Sequence, residues 1–204
     1  MCPERRYPML TLENITLKYG KNTVLDRLSY SFSEGRITAI VGESGVGKTS
    51  LVNILAGLLR PTDGSFTNTH GKISYIFQEP RLFPWMTALE NVATVSDEAK
   101  GREMLTLMGL EDSLDKYPAE LSGGMKQRVS IARALAYEPD IIFLDEPFRG
   151  LDAERRHNVS KTVFELLRGK TAIIVTHDEA DLEYADIVLK LSPAPESKLI
   201  RIDN

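Results

Sequence analysis

Residues 37–58, ITAIVGESGVGKTSLVNILAGL, contain the arrangement that decides the fold: an apolar strand, a glycine-rich loop and an apolar helix. The loop, residues 42–49, fits the phosphate-loop pattern G-x-x-x-x-G-K-[S/T], which requires a strand before it and a helix after it. Its glycines allow tight turns, so several backbone N–H groups can point at phosphate oxygens, and the helix adds the positive end of its dipole. The sequence therefore predicts a site for a nucleoside triphosphate.

Particular side chains of this loop have expected tasks. Lys48 has the reach to contact the β- and γ-phosphates, and the Thr49 hydroxyl suits a Mg²⁺ ion. The residues expected to contact the nucleotide here are Gly42, Glu43, Ser44, Gly45, Val46, Gly47, Lys48, Thr49 and Ser50. The helix is predicted over residues 48–58, and its expected apolar face consists of Leu51, Ile54, Leu55 and Leu58.

A second glycine-rich turn, LSGGMKQ at residues 121–127, opens another predicted helix. Ser122 suits the N-cap, and Gly123 and Gly124 present bare backbone at a helix N-terminus, where anions bind. A plain cap would explain Ser122 but not two successive glycines, which cost helix stability. Since the chain already has one phosphate loop, a second phosphate-binding motif suggests that two chains share each nucleotide.

Polar residues end two further apolar strands. Asp145 and Glu146 follow IIFL at residues 141–144, and His177 follows the β-branched run at 171–176. Ligands of doubly wound sheets bind at such carboxyl ends. Asp145 suits Mg²⁺ through a water, and Glu146 suits the polarisation of an attacking water as general base. His177 suits a γ-phosphate contact, although a lone histidine there is more often structural.

Four other side chains are candidates on weaker grounds. Gln78 also ends a predicted strand, residues 73–77, where it can reach Mg²⁺ or water, but in isolation it indicates nothing. Tyr19 suits stacking on a base, although an aromatic residue of a hairpin is more often a packing contact. Phe83 and Trp85 fit either the core or a docking groove for a partner.

The composition limits the function classes. With 204 residues, of which 42% are hydrophobic and 26% charged, the chain suits one ordinary globular domain. The net charge of −4 disfavours general affinity for nucleic acid, so no nucleic-acid partner is expected. The sequence has neither an apolar run near 18 residues nor a signal core, so we expect a cytosolic chain. The single cysteine, Cys2, excludes an internal disulfide.

The strand pattern predicts an α/β fold with a mostly parallel sheet covered by helices on both faces. An antiparallel hairpin, residues 10–32, precedes the sheet, and a helical stretch interrupts the alternation as an inserted subdomain. The expected organisation is a single domain, residues 1–204. Its catalytic core is expected at about 9–79 and 137–204, and its helical subdomain at about 80–136.

Together these motifs resemble the ATP-binding-cassette (ABC) family over nearly the whole chain. Residues 42–49 match its Walker A motif, 121–127 its signature motif and 141–146 its Walker B motif. The single residues that match are Tyr19 (adenine stacking), Gln78 (Q-loop), Asp152 (D-loop) and His177 (switch histidine). The resemblance implies an ATPase with a P-loop core, an antiparallel β subdomain and an inserted helical subdomain.

The resemblance also implies cofactors and a shared site. The cofactors are ATP and Mg²⁺, with the metal held by Thr49, Gln78 and Asp145. In this family two cassettes form a head-to-tail dimer, and the signature of one faces Walker A of the other. The residues assigned to the nucleotide from that second half of the site are Ser122, Gly123, Gly124, Gln127 and Asp152.

Within the family, FQEPRLFPWMTALENV at residues 77–92 looks most like the ATPases of nitrate, sulfonate, taurine and thiamine-precursor importers. This implies permease subunits that dock between Gln78 and Trp85, a separate solute-binding protein, and a peripheral place on the cytoplasmic side of the cell membrane. Arg149 and Gly150 replace the Ser-Ala that usually precedes Leu-Asp in the D-loop. The resemblance therefore does not specify how the two subunits communicate through this loop.

Two other functions compete with an importer subunit. One is a soluble ABC ATPase that acts on nucleic acid or ribosomes; such proteins commonly have two cassettes, a long coiled-coil insertion or basic extensions, which this chain lacks. The other is a nucleotide-binding module without hydrolysis, which Glu146 and His177 disfavour.

Overall fold

The computed structural model describes residues 10–68 and 71–202, which form two β-sheets and six α-helices. The strands are β1 Leu10–Tyr19, β2 Asn22–Phe32, β3 Ile37–Val41, β4 Asp63–Asn68, β5 Ile73–Ile76, β6 Ile141–Asp145, β7 Thr171–Val175, β8 Ile187–Leu191 and β9 Leu199–Ile202. The helices are α1 Lys48–Leu55, α2 Ala88–Ala93, α3 Glu98–Leu107, α4 Gly123–Ala136, α5 Ala153–Leu167 and α6 Glu179–Leu182. Cys2 and residue 9, the expected start of the core, lie outside the described residues.

The larger sheet has the strand order β5-β6-β7-β3-β8-β9. Its first five strands are parallel, and β9 runs antiparallel to β8. This arrangement confirms the predicted α/β fold with a mostly parallel sheet. Because β6, β7 and β3 are neighbours, their carboxyl ends meet at one edge, where the phosphate loop, Asp145-Glu146 and His177 follow directly.

Alternate residues of the central strands face two separate cores. Phe143 of β6 and Ile173 of β7 pack with α1 and the antiparallel sheet, whereas Leu144 and Ile174 pack with α4 and α5 on the other face. A strand's side chains alternate between its faces, so a strand covered on both sides is apolar throughout. All five residues of β6 and of β7 are buried, as this arrangement requires.

The antiparallel sheet has three strands, in the order β2-β1-β4, rather than the two of the predicted hairpin. The additional strand, β4, reads DGSFTN and pairs with β1 on the side opposite β2. The sequence gives little sign of it, because an edge strand with one half-buried aromatic residue needs no apolar alternation. The pairing of β1 with β2 is irregular near Glu13 and Asn14, as the break in the alternation predicts.

Helix α1 ends three residues earlier than predicted. The N–H of Gly57, at φ +73°, donates to the carbonyl of Ile54, and the N–H of Leu58 donates to that of Asn53. These two bonds are the Schellman motif, which terminates a helix at a left-handed glycine. Leu58 therefore lies outside the helix with 58% of its surface exposed, and its predicted place on the apolar face is wrong.

The middle of the chain contains three helices joined by turns. Thr87 and Glu90 form a capping box at the start of α2, and Asp97 and Ser122 cap α3 and α4. The three helices pack against one another around Leu105 and other buried residues. Among the described residues, none of the helices is long and apolar enough to cross a membrane.

Candidate functional site

The phosphate loop connects β3 to α1 and is closed by its own lysine. The Nζ atom of Lys48 donates to the carbonyl oxygens of Gly42, at 2.9 Å, and Glu43, at 2.8 Å. Gly47, the N-cap of α1, has φ +105°, and a Cβ atom there would lie 2.8 Å from the Val24 side chain. The loop therefore requires glycine at position 47 for both its backbone conformation and its close contact with β2.

Lys48 and Asp145 are both buried and lie close enough to influence each other. Burial lowers the pKa of Lys48, and the nearby carboxylates of Glu146 and Asp145 oppose that shift. Burial raises the pKa of Asp145, and a hydrogen bond from the Thr49 hydroxyl and the charge of Lys48 oppose that shift in turn. The structure thus brings together the cation and the carboxylate that the sequence places nearly 100 residues apart.

The donors next to Asp145 fit a magnesium ion. The Thr49 hydroxyl lies near enough to the Asp145 carboxylate to lower its pKa, and both groups offer the oxygen ligands that Mg²⁺ prefers. Within residues 10–68 and 71–202, no group of three or more His, Cys, Asp or Glu side chains forms a metal cage. Mg²⁺ in nucleotide sites commonly needs none, because one or two protein ligands suffice beside substrate phosphates and waters.

Glu146 is held at the edge of the sheet by several neighbours. Its Oε2 atom accepts a hydrogen bond from Gln78 Nε2 at 3.0 Å, and its Oε1 atom lies 3.2 Å from His177 Nε2. Its N–H donates to the carbonyl of Val175, and its backbone has φ +47°, a left-handed conformation that is uncommon outside glycine. Such strain is typical of functional positions. Gln78, Glu146 and His177, which follow three different strands, thus meet at this edge.

A cleft of about 380 Å³ joins these side chains to the phosphate loop. The predicted site residues that line it are Tyr19, Ser44, Gly45, Gly47, Lys48, Thr49, Ser50, Gln78, Glu146 and His177. Tyr19 lies at its edge with 55% of its surface exposed, as a stacking aromatic should. Val46 directs its side chain into the core, so only its backbone is available to a nucleotide. Val24 and Val175 also line the cleft, although nothing in the sequence singles them out.

No residue of the signature motif lines this cleft. Ser122 and Gly123 are exposed at the start of α4, and the Ser122 hydroxyl accepts a hydrogen bond from the N–H of Met125 at 3.3 Å. A Cβ atom on Gly124 would lie 3.2 Å from the carbonyl oxygen of Gly150, so close packing explains this glycine. An exposed helix N-terminus with bare backbone suits a phosphate that another chain carries.

Two residues assigned to the nucleotide have other partners in the single chain. The Gln127 side chain is buried, and its Nε2 donates to the carbonyl oxygens of Pro147, at 2.9 Å, and Phe77, at 3.4 Å. It therefore ties α4 to the segments that carry Gln78 and Glu146. Asp152 caps α5, because its carboxylate accepts the N–H of Arg155 at 3.0 Å.

Phe83 and Trp85 lie on the surface, so the interpretation that they belong to the core is wrong. Trp85 is 69% and Phe83 39% exposed, with ring centroids 5.7 Å apart. Buried Asn91 holds their segment: its Nδ2 donates to the carbonyls of Phe83, Met86 and Thr87, and its Oδ1 accepts the N–H of Phe83. An exposed aromatic pair on a rigid support is typical of a docking surface.

Known proteins match this chain over most of its length. Residues 25–149 match the model of the ABC transporter family. The bicarbonate transport ATP-binding protein CmpD of Synechocystis sp. is 37% identical, over 93% of this chain and 76% of that protein. The aliphatic sulfonates import ATP-binding protein SsuB of Rhodopseudomonas palustris is 40% identical, over 98% of this chain and 76% of that protein.

A solved structure with the same fold is the dimeric, post-hydrolysis state of the ATP-binding cassette MJ0796 bound to ADP and Pi. It superimposes with a TM-score of 0.84 at 30% identity, over 96% of this chain and 98% of that one. The similarity thus includes the whole arrangement of sheets and helices rather than the phosphate loop alone.

Proposed function

Because the chain belongs to the ABC transporter family, whose ATP-binding subunits hydrolyse ATP, we propose that it powers the import of a small solute through separate permease subunits. The solute class proposed is that of nitrate, sulfonate, taurine and thiamine precursors. The relatives are named for bicarbonate, aliphatic sulfonates and Fe(3+), so they support the import of a small solute without fixing its charge. These relatives are importer subunits, so they give no support to an action on nucleic acid or ribosomes.

One observation carries the proposal: the site is divided between two surfaces of the chain. Residues of the phosphate loop, Glu146 and His177 line the cleft, whereas Ser122 and Gly123 are exposed at the start of α4 and do not line it. A head-to-tail pair of chains would bring each signature motif to the other chain's nucleotide. The dimeric cassette structure with ADP and Pi supports this arrangement.

The side chains of the cleft have complementary tasks in this proposal. The Lys48 Nζ atom exchanges its bonds with the loop carbonyls for bonds with the β- and γ-phosphates. Thr49, Asp145 and Gln78 would hold Mg²⁺, which when bound neutralises phosphate charge. Glu146 accepts a hydrogen bond from the attacking water and takes its proton as general base. His177 contacts the γ-phosphate.

The docking surface and the partners follow from the same proposal. The permease would contact the segment between Gln78 and Trp85, where Phe83 and Trp85 are exposed on the support of Asn91. A separate solute-binding protein would deliver the solute, and this chain would lie peripherally on the cytoplasmic side of the cell membrane. The nucleotide cleft and the docking segment share Gln78, so closure at one affects the other.

Sedimentation of the Glu146→Gln variant tests this function. With ATP and Mg²⁺ we expect a stable dimer, because the variant keeps the nucleotide contacts but lacks the general base. Without nucleotide we expect a monomer. Lys48→Ala is the matched control and should stay monomeric under both conditions. A Glu146→Gln protein that hydrolyses ATP at the wild-type rate would exclude Glu146 as the base.

A further inference from the structure

The carboxylate of Glu146 has a third neighbour besides Gln78 and His177. Arg149 Nη1 lies 3.5 Å from Glu146 Oε2, the same oxygen that accepts the Gln78 hydrogen bond. Arg149 is one of the two residues at which the D-loop departs from the family's usual sequence. The departure thus places a cation directly against the proposed general base.

The local chain geometry holds Arg149 in this place. Its N–H donates to the carbonyl of Glu146 at 3.2 Å, which closes a four-residue turn that contains Pro147. Proline fixes its own φ and so stiffens the turn. Glu146 and Arg149 therefore face each other through both their backbone and their side chains, without help from distant parts of the fold.

The other two neighbours of the carboxylate have tasks elsewhere in the proposed reaction. Gln78 is expected at Mg²⁺, and His177 at the γ-phosphate. When they take up those contacts, they hold Glu146 less firmly. Arg149 has no such task, because it does not line the nucleotide cleft. It lines the neighbouring cavity instead, together with Asp178.

We propose that Arg149 is a positioning residue for the Glu146 carboxylate, the contact that stays when Gln78 and His177 turn to the nucleotide. The inference rests on the proposed function, because it assigns Glu146 as the base. Arg149 itself does not contact the reacting atoms. It keeps Oε2 at a fixed place, so that the other oxygen is presented to the attacking water.

The kinetic test replaces Arg149 by glutamine, which has a shorter polar side chain without the charge. Since the Arg149 side chain is 64% exposed, the ion pair is partly screened, and we expect kcat to fall about two- to fivefold. KM for ATP should not change, because ground-state contacts with the nucleotide remain. Arg149→Lys should recover part of the rate, because it restores the cation.

The matched control is Arg102→Gln. Arg102 forms an ion pair of the same kind with Glu98 on α3, at 2.7 Å, and its side chain is 51% exposed. We expect wild-type kcat and KM from this variant. Raising the ionic strength from about 0.05 M to about 0.5 M should screen the exposed ion pair between Arg149 and Glu146. The kcat of the wild type should therefore fall toward that of Arg149→Gln, and the kcat of the variant should fall less.

A second readout uses the nucleotide-free protein. A double-mutant cycle with Arg149→Gln and Glu146→Gln, followed by urea unfolding at low salt, should give a coupling of about two- to fivefold in the unfolding constant. No coupling in this cycle would overturn the inference, as would a kcat of Arg149→Gln that is unchanged or raised. ATP hydrolysis that Lys48→Ala does not reduce would overturn the proposed function itself, and the inference with it.

Discussion

At residues 145 and 146, features that disfavour folding place carboxylates at the candidate site. Asp145 is a buried carboxylate whose pKa is raised chiefly by that burial, and Glu146 adopts a backbone conformation that suits glycine. Neither feature helps the chain to fold. Both place a negative charge where a metal and a water would need it, which is the pattern expected of a functional site.

Asp145→Asn should therefore stabilise the nucleotide-free protein while it abolishes Mg²⁺-dependent hydrolysis. The amide removes the buried charge, and we expect a gain of about 1 kcal/mol in the free energy of unfolding, or roughly 2–4 °C in Tm. Urea unfolding with and without the substitution measures it. Asp112→Asn, at an exposed aspartate, is the control and should change stability by less than about 0.5 kcal/mol.

The gain from Asp145→Asn should depend on pH. Because the folded pKa is raised above the ordinary value of 3.8, the unfolded chain loses its proton first as the pH rises. As the pH rises from 3.8 to the raised pKa, the wild type therefore loses stability relative to a chain without a titratable group at position 145. The difference between variant and wild type should be largest above the raised pKa and vanish below 3.8. A difference that grows toward low pH would contradict the assignment.

At the scale of elements, the sequence predicts whatever depends on a local pattern. Strand, loop and helix around residues 37–55 follow from apolar runs and glycines. The strand ends at Glu146 and His177 follow from the apolar runs before them, whereas the contact of Gln78 with Glu146 depends on a strand order that only the structure gives. The existence of strand β4 cannot be predicted from its own residues, because the strand forms through its pairing with β1. Gln127 likewise owes its position to contacts with distant carbonyls, which no spacing reveals.

The support under the aromatic pair gives a prediction at this scale. Asn91→Ala removes four hydrogen bonds to the backbone of residues 83–87 from a fully buried side chain. We expect a loss of about 2–3 kcal/mol in the free energy of unfolding and faster amide exchange across that segment. Hydrogen exchange read by mass spectrometry measures the second effect.

Asn158→Ala is the control for this experiment, since Asn158 is exposed on α5. It should change stability by less than about 0.5 kcal/mol. Equal protection of residues 83–87 in Asn91→Ala and wild type would show that other contacts order this segment, such as that of the Arg133 guanidinium, which lies 5.5 Å from the centroid of the Phe83 ring.

For the whole molecule, the proposed function requires two chains for each nucleotide site. The cleft side depends on Lys48 and Glu146, and the opposite side on Ser122 and its neighbours. Ser122→Arg should leave ATP binding by the single chain unchanged, because Ser122 is exposed away from the cleft, and it should stop turnover. ATP binding and turnover of the purified variant check these two expectations separately.

Mixing two inactive variants tests the shared site directly. Ser122→Arg and Lys48→Ala damage opposite halves, so a mixed dimer contains one intact site. Random pairing of equal amounts should restore at most about a quarter of the wild-type sites. A mixture of Lys48→Ala and Glu146→Gln should restore none, since both damage the same half. A Ser122→Arg protein with full turnover would mean that the site is complete within one chain.

The left-handed backbone of Glu146 has a consequence for anyone who engineers this protein. Glycine or asparagine adopts that conformation more readily, so either substitution should make the chain more heat-resistant. A library selected only for survival on heating would therefore accumulate these residues at position 146. The selected variants would resist heat but would not hydrolyse ATP, and only a screen that also measures phosphate release would retain the glutamate.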